Sequence, residues 1–450
     1  MASTADHIIR TTAKESAFLV GVALKGSHPL MSITESLEEL SLLADTAGLE
    51  VVGQTYQNVA QIDPATFVGS GKVEEIRQSL ISSGAQTVIF DDELSPRHQR
   101  ELEKVFGENV KVLDRSALIL DIFAQHARTY EGALQVELAQ YEYRLPRLTR
   151  MWTHLARQGG GASGRGGTGG VGLRGPGETQ LEVDRRDIRR RITRLRSALE
   201  DVRSHRSRHR AQRERSGVPL IALVGYTNAG KSTLLRALTG ADVYIADQLF
   251  ATLDPTTRKL ELSSGRQTLI TDTVGFIQKL PTTLVAAFRA TLEEITQADL
   301  LLLVADTTQP SVLEQIESVE DTLAEIEMPP VPRILVWNKM DMVAAHNAEV
   351  EEDFRIHTPQ LHNAQSYAAI VEVSAVTGEG LPQLLQAIDT TLKQTLYAVR
   401  LKIPYDRGDL VSLLHDAGTV ESQKHDDDGV ILSVRLPARL FEQVRQYRIR

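Results

Sequence analysis

The segment Gly225-Tyr226-Thr227-Asn228-Ala229-Gly230-Lys231-Ser232 constrains this chain more than any other feature. It follows a short apolar run, Leu220–Val224, and precedes Thr233–Leu238, which has helical character. A G-x-x-x-x-G-K-S sequence between a strand and a helix forms a loop whose consecutive backbone N–H groups wrap phosphates at a helix N-terminus. Lys231 then offsets charge on the β- and γ-phosphates, and the Ser232 hydroxyl is placed to bind Mg²⁺. Residues Gly225 through Thr233 are therefore candidate nucleotide-binding residues in an α/β domain with a parallel-type sheet.

The loop alone does not choose between purines. Asn338-Lys339-Met340-Asp341 follows the apolar run Ile334–Trp337. A carboxylate at Asp341 accepts from the guanine N1–H and exocyclic amine, a donor pair that adenine lacks. Recognition built on such a bond discriminates by about 10⁴ or more. Asn338 and the Lys339 stem are expected to brace the base. Ser374-Ala375, after Ile370–Val373, fits a turn whose backbone N–H reaches the guanine oxygen. Asp272-Thr273-Val274-Gly275 ends the run Thr268–Thr271. Asp272 is expected to hold magnesium through its water shell and the Gly275 N–H to contact the γ-phosphate. In Phe250-Ala251-Thr252-Leu253-Asp254-Pro255, Thr252 is the candidate switch threonine that binds Mg²⁺ when GTP is present. The expected metal ligands are thus Ser232, Thr252 and Asp272. Lys231, Thr252 and Gly275 are the catalytic candidates.

Phosphoryl transfer from GTP is mainly positioning and electrostatics. Many GTPases carry a Gln after the Asp-x-x-Gly motif to orient the attacking water. Here that position is Phe276, which cannot hydrogen-bond to water, so intrinsic turnover is expected to be slow and raised by a partner. Asn228 is a candidate to help coordinate a monovalent cation such as K⁺, or equally a turn residue satisfying its own backbone.

At 450 residues the chain is too long for a single core. It has no cysteine, which excludes disulfides and thiolate metal sites. No apolar run approaches the roughly 20 residues needed to span a bilayer, and a cytoplasmic location is expected. The net charge of −9 hides an asymmetry. From Tyr143 to Arg215 there are 19 Arg and 7 acidic residues, a balance of +12, which leaves −21 for the remainder. Such a segment on an acidic body suits a polyanionic partner, and nucleic acid is the one expected.

Residues 16–127 alternate short apolar runs with amphipathic stretches. Phe18–Leu24, Glu50–Tyr56, Thr87–Phe90 and Val110–Leu113 read as strands; Ser36–Ala47, Val73–Ser82, Pro96–Phe106 and Ser116–Ala127 read as helices. Leu134, Leu138, Tyr141, Leu145, Leu148, Trp152 and Leu155 then follow heptad spacing, interrupted by Pro146, which is expected to kink the helix. A second seam runs through Leu181, Ile188, Ile192, Leu195, Leu199 and Val202. Between the seams, 11 of the 19 residues from Gly159 to Gly177 are glycine, too many for a helix. These parts predict an antiparallel helical hairpin whose tip loop presents Arg165 and Arg174 as RNA-contact candidates.

The expected division is an N-terminal α/β domain at 1–127, a hairpin linker at 128–216 with its tip at 159–177, a GTPase domain at 217–398, and a small α+β domain at 399–450. In the last, Leu401–Pro404 and Val430–Leu436 read as strands around a helix at Gly408–His415.

Four stretches together resemble the HflX family of translation-factor-class GTPases. They are Gly69-Ser70-Gly71-Lys72-Val73-Glu74, Gly175-Pro176-Gly177-Glu178-Thr179-Gln180-Leu181-Glu182, the phosphate loop, and Ala251-Thr252-Leu253-Asp254-Pro255-Thr256. Phe276 agrees as well, since the family carries a hydrophobic residue there. The resemblance implies a monomeric GTP hydrolase that binds the large (50S) ribosomal subunit and its 23S rRNA, is stimulated by the ribosome, and splits or rescues stalled or stress-damaged ribosomes. Other readings are a large-subunit assembly GTPase and an RNA-remodelling protein with a second, ATP, site in the N-terminal domain. For that ATP site, Gly69-Ser70-Gly71-Lys72 is shorter than a phosphate loop and lacks the hydroxyl after the lysine; a glycine turn opening a helix is the simpler reading.

Overall fold

The computed structural model describes residues 14–27, 29–148, 180–216, 218–241, 249–279, 294–326, 328–349, 357–361, 363–394, 396–436, 441 and 444–449. Two compact units make up the chain, one of residues up to Gln125 with Glu142–Arg185, the other of His126–Tyr141 with Arg186 onward. Among the described residues no helix is long and apolar enough to cross a membrane.

The first unit is built on a four-stranded parallel sheet in the order β2-β1-β3-β4, from β1 (Glu15–Leu24), β2 (Leu49–Val59), β3 (Thr87–Phe90) and β4 (Lys111–Asp114). Four helices connect and follow these strands: α1 (Ile33–Thr46), α2 (Ser70–Ser83), α3 (Pro96–Phe106) and α4 (Arg115–His126). Ser32 caps α1 and Glu35 returns to the Ser32 N–H, the reciprocal box that starts a helix cleanly. One face of β1, with Phe18, Val20 and Val22, packs with Ile76 and Leu80 of α2 and Val88 and Phe90 of β3. Arg115 is buried where β4 ends and pairs with Asp91 at 2.7 Å and with Glu39, tying α1 to the strand ends. Helix α2 begins at Ser70 with Gly69 at its cap, and the Lys72 ammonium is taken up by Glu75 and the Thr55 hydroxyl, each at 2.7 Å.

Helix α5 (Tyr130–Arg144) ends where the kink was expected; Leu145–Arg147 is a 3₁₀ turn. Pro146 has no N–H to continue the ladder and its ring crowds the carbonyl four residues back, so the helix stops instead of bending through. Helix α6 (Gln180–Ser216) carries the second seam. In the second unit Leu134, Leu138 and Tyr141 share a small core with Leu195, Ala198 and Leu199, and Arg191 pairs with Glu137 at 2.8 Å. The opposite face of α6 exposes Arg186, Arg189, Arg190, Arg194 and Arg196. Trp152, Leu155 and the tract at 159–177 with Arg165 and Arg174 lie outside the described residues.

The second unit's main sheet has the order β10-β9-β8-β5-β7-β6. Its strands are β5 (Leu220–Gly225), β6 (Thr256–Glu261), β7 (Gln267–Asp272), β8 (Leu300–Asp306), β9 (Arg333–Asn338) and β10 (Ala369–Glu372). All neighbours are parallel except β6 against β7. Strands β5, β8 and β9 are buried almost throughout and read as near-continuous apolar runs, as central parallel strands covered on both faces must. Among the described residues, helices α7 (Lys231–Thr239), α8 (Val312–Glu325), α9 (Met340–Glu349) and α10 (Leu381–Gln394) belong to this layer. Leu234 and Leu235 of α7 and Leu384, Ile388 and Leu392 of α10 join Ile221, Leu302 and Val336 in one core.

Residues 397–436 form a three-stranded antiparallel sheet, β11 (Tyr397–Pro404), β13 (Gly429–Leu436) and β12 (Thr419–Asp426), with helix α11 (Gly408–Ala417) packed on it. Strand β12 has no counterpart in the sequence reading. Its residues, Thr-Val-Glu-Ser-Gln-Lys-His-Asp, show no apolar alternation: Val420 packs on the core, and residues 421–426 are exposed.

Candidate nucleotide and magnesium site

Parallel strands of an open α/β sheet present their C-terminal ends at one rim, where ligands bind. The register sets Leu223 beside Asp272, Gly225 beside Val304 and Asp306 beside Asn338, so the ends of β5, β7, β8 and β9 supply the site.

The phosphate loop joins β5 to α7. Gly225 has φ +152°, and a Cβ there would stand 2.2 Å from the Val304 carbonyl oxygen. Gly230 has φ +89°, and its Cβ would stand 2.3 Å from Asn338 Nδ2. No side chain fits at either position. Thr227 N–H donates to the Phe276 carbonyl (2.8 Å) and Phe276 N–H to the Gly225 carbonyl (3.1 Å), stitching the loop to the segment after β7. The Tyr226 hydroxyl accepts from Gln278 N–H at 2.8 Å and extends the stitch. Phe276 itself is buried, so its ring packs and offers nothing to a water. Asn228 is exposed in the left-handed region at φ +60°.

Lys231 is buried and donates to the carbonyls of Gly225 (3.1 Å) and Tyr226 (2.6 Å). Burial pulls its ammonium down to about 8, against the nearby Asp272 carboxylate, which favours the charged form. A Cβ on Gly275 would lie 3.1 Å from Lys231 Nζ and 2.8 Å from Thr227 Cα, so the Gly275 backbone runs directly past the lysine.

Ser232, Thr252 and Asp272 converge. The Ser232 hydroxyl donates to Asp272 Oδ2 at 2.5 Å, and Ser232 Oγ and Thr252 Oγ1 are 2.8 Å apart. Burial raises the Asp272 carboxyl, while the Lys231 charge and the Ser232 hydroxyl pull the other way. Asp272 Oδ1 is buried and makes no hydrogen bond among the described residues, a desolvation cost that a bound cation would offset. One carboxylate and two hydroxyls, with substrate phosphate oxygens, form the all-oxygen set that Mg²⁺ takes, so the residues fit it. No group of three or more acidic or histidine side chains among the described residues offers another metal site. Thr273 is spent on the fold, since its hydroxyl donates to the Leu223 carbonyl at 2.6 Å; Val274 is buried beside it.

At the far end of the rim Asn338 braces two loops. Its Nδ2 donates to the Ala229 carbonyl (2.9 Å) and its Oδ1 accepts from the Ala375 N–H (3.1 Å). The Ala375 amide, a donor suited to a guanine oxygen, is thus engaged by Asn338 here. Lys339, at φ +65°, pairs with Asp306 at 2.7 Å, and Asp306 Oδ1 also accepts from the Thr308 N–H and hydroxyl. Met340 N–H is held by the Val373 carbonyl at 3.2 Å. The Ser374 hydroxyl donates to Asp341 Oδ1 at 2.7 Å and orients the carboxylate. Asp306 escaped the sequence reading. Its signal is an acid closing an otherwise wholly apolar run at the same rim as Asn338.

Family models match along the chain: a GTP-binding GTPase N-terminal model at 34–124, a GTP-binding GTPase middle-region model at 126–213, a 50S ribosome-binding GTPase model at 220–339 and an HflX C-terminal domain model at 360–446. An elongation factor Tu GTP-binding domain model matches 286–394. GTPase HflX of Caldanaerobacter subterraneus subsp. tengcongensis is 44% identical over 434 residues, covering 96% of this chain and 94% of its own. GTPase HflX of Escherichia coli is 43% identical over 429 residues, covering 95% of each. A crystal structure of SsGBP in complex with GDP covers 84% of this chain and 99% of its own at 25% identity, with a TM-score of 0.45.

Proposed function

The chain belongs to the HflX family of GTPases, and from that membership we propose that its turnover is coupled to the 50S ribosomal subunit, on which it splits or rescues stalled ribosomes. The protein is a hydrolase acting on GTP. Asp341, oriented by Ser374, accepts from the guanine N1–H and exocyclic amine, and Asn338 holds the base loop against the phosphate loop. Ser232, Thr252 and Asp272 would hold Mg²⁺, whose charge would offset that developing on the transferred phosphoryl group. Lys231 and the Gly275 N–H bind the outer phosphates. For Asn228 two readings stand side by side: help in coordinating K⁺, and a turn residue satisfying its own backbone; a rate unchanged when Na⁺ replaces K⁺ would remove the first.

The observation that carries the ribosomal reading is the charge segregation along the middle segment. Its 19 Arg against 7 acidic residues lie on a body summing to −21, and exposure of Arg186, Arg189, Arg190, Arg194 and Arg196 on α6 supports the reading. Arginine forks phosphates and stacks on bases, the contacts rRNA offers. On this reading Arg165 and Arg174 touch 23S rRNA, the protein acts as a monomer in the cytoplasm, and four domains share the work with boundaries near 127, 216 and 398. Against a second, ATP, site stands the engagement of Lys72 by Glu75 and Thr55.

The test is GTP turnover with and without purified 50S subunits beside sedimentation of 70S ribosomes. Deleting 159–177 should remove stimulation and spare GTP affinity, and rRNA binding should weaken steeply with salt as counterions are released. Undiminished stimulation in the deletion would refute the hairpin as the contact.

A further inference from the structure

The segment that carries Thr252 is held at two places. Phe250 and Leu253 are buried, which anchors its backbone. Two residues after Thr252, the half-buried Asp254 reaches α5. Its Oδ2 accepts from the N–H groups of Arg128 (3.0 Å) and Thr129 (2.8 Å), and its Oδ1 accepts from the Thr129 hydroxyl. That hydroxyl in turn accepts from the Gly132 N–H at 3.0 Å, so Thr129 caps α5 and Asp254 caps the cap. A carboxylate is favoured at this end of a helix by the macrodipole. Gly132 records the closeness of the fit. Glycine is among the poorest helix formers, yet it stands in the first turn of α5, and a Cβ there would lie 2.5 Å from Asp254 Oδ1. The next turns of α5 place Leu134, Leu138 and Tyr141 in the core shared with α6.

We propose that Asp254 is a positioning residue for GTP hydrolysis: its carboxylate clips the Thr252 segment to the N-terminus of α5, so that occupancy of the nucleotide site and docking of the α5–α6 helices stabilise each other. The proposal rests on the reading of Thr252 as a magnesium ligand. Asp254 does not line the cavity at the phosphate loop; it acts through the two-residue link to Thr252, whose hydroxyl sits 2.8 Å from that of Ser232. Coupling between two sites is reciprocal in free energy. If Thr252 is held at the nucleotide only in the GTP state, the α5 cap tightens in that state; a partner that holds α5 and α6 holds Thr252 in place in return.

The experiment uses the full chain with Asp254→Ala, Asp254→Asn, Gly132→Ala and the Asp254→Ala/Gly132→Ala double variant. It reads kcat and KM for GTP, GDP affinity, and amide exchange across 128–133 with a non-hydrolysable GTP analogue and Mg²⁺ or with GDP. Asp254→Ala should lower kcat by about tenfold or more, because a small misplacement of a reacting group costs that much, with GDP affinity kept within about threefold. It should also erase the protection of 128–133 that the GTP analogue gives the parent. Asp254→Asn, which keeps an acceptor for the two amides, should recover part of both. Gly132→Ala should reproduce the Asp254→Ala defect in the parent and add nothing to it in the double variant. Parent-like kcat in Asp254→Ala, exchange at 128–133 that ignores the nucleotide, or additive effects in the double variant would overturn the proposal. Thr252→Ala separates the two layers. A kcat lost there but kept in Asp254→Ala overturns the clip alone; a kcat kept in Thr252→Ala overturns the magnesium reading beneath it.

Discussion

Replacing Asn338 by Ala tests how far the guanine and phosphate loops act as one body. The side chain is almost fully buried and satisfies two buried backbone groups that belong to different loops, the Ala229 carbonyl and the Ala375 N–H. Truncation orphans both. Each orphan costs about 1–3 kcal/mol, so the loops relax to recover about 2–6 kcal/mol by turning those groups toward water. On the proposed assignment nucleotide requires the braced arrangement, with the phosphate amides and the base pocket in register, and the relaxation would have to be undone on binding. Taking about 3 kcal/mol of that as lost affinity, GDP should bind roughly 100-fold more weakly. Asn338→Asp keeps an acceptor for Ala375 but sets a carboxylate oxygen against the Ala229 carbonyl, and should be no better than Ala. A titration with fluorescent GDP reads both. Affinity within about threefold of the parent in Asn338→Ala, with the fold intact by circular dichroism, would show that the two loops are held by something else.

Asp341→Asn should move preference from guanine toward xanthine nucleotides, because the amide presents a donor where the carboxylate accepts; competition binding reads it, and retained guanine preference would remove Asp341 from the base pocket. The lowered Lys231 ammonium gives a pH signature. Between about 8 and the ordinary lysine value of 10.5 the free folded protein holds fewer protons at this site than the unfolded chain, so the cost of burying Lys231 is fully present below pH 8 and fades as pH rises. Phosphate restores the charge, so GTP binding at pH 8 should take up about half a proton, measured by calorimetry in buffers of different ionisation enthalpy. No uptake would mean that the lysine is already fully charged in the free site.

Where function fixes backbone shape, local sequence is enough to read it. Gly225 and Gly230 admit no side chain, Lys231 and Ser232 follow at the spacing a phosphate demands, and Asn338 ends a strand at the same rim. The heptad seam was readable for a similar reason, since Leu134, Leu138, Leu195 and Leu199 must share one side of their helices to meet. Edge strand β12 was not readable, because after Val420 its side chains are all exposed and polar, so no apolar alternation marks it. Nor were partners that only the fold brings together. Lys339 announces the guanine loop, but nothing near it in sequence points to Asp306. Asp254 stands in a distinctive run, yet Thr129 and Gly132 lie more than a hundred residues earlier and carry no mark of their own until the clip between them is seen.

Phe276 brings these levels together. A residue that could orient water would have to leave the core and face the γ-phosphate. Here the ring is buried, and the backbone on either side of it is bonded into the phosphate loop through Gly225 and Thr227. Freeing that position for catalysis would unstitch the phosphate loop itself. Substituting Gln for Phe276 would therefore place a polar side chain in a packed site, with a desolvation cost of about 1–3 kcal/mol, without delivering it to the reacting oxygen. Position 276 therefore supplies no water-orienting group, and the expectation is that such a group comes from another position or from a partner, or that a partner orders the loops that hold the water. Where a partner supplies either, the rate of GTP hydrolysis should follow what is bound to the protein, which turnover with and without 50S subunits reads.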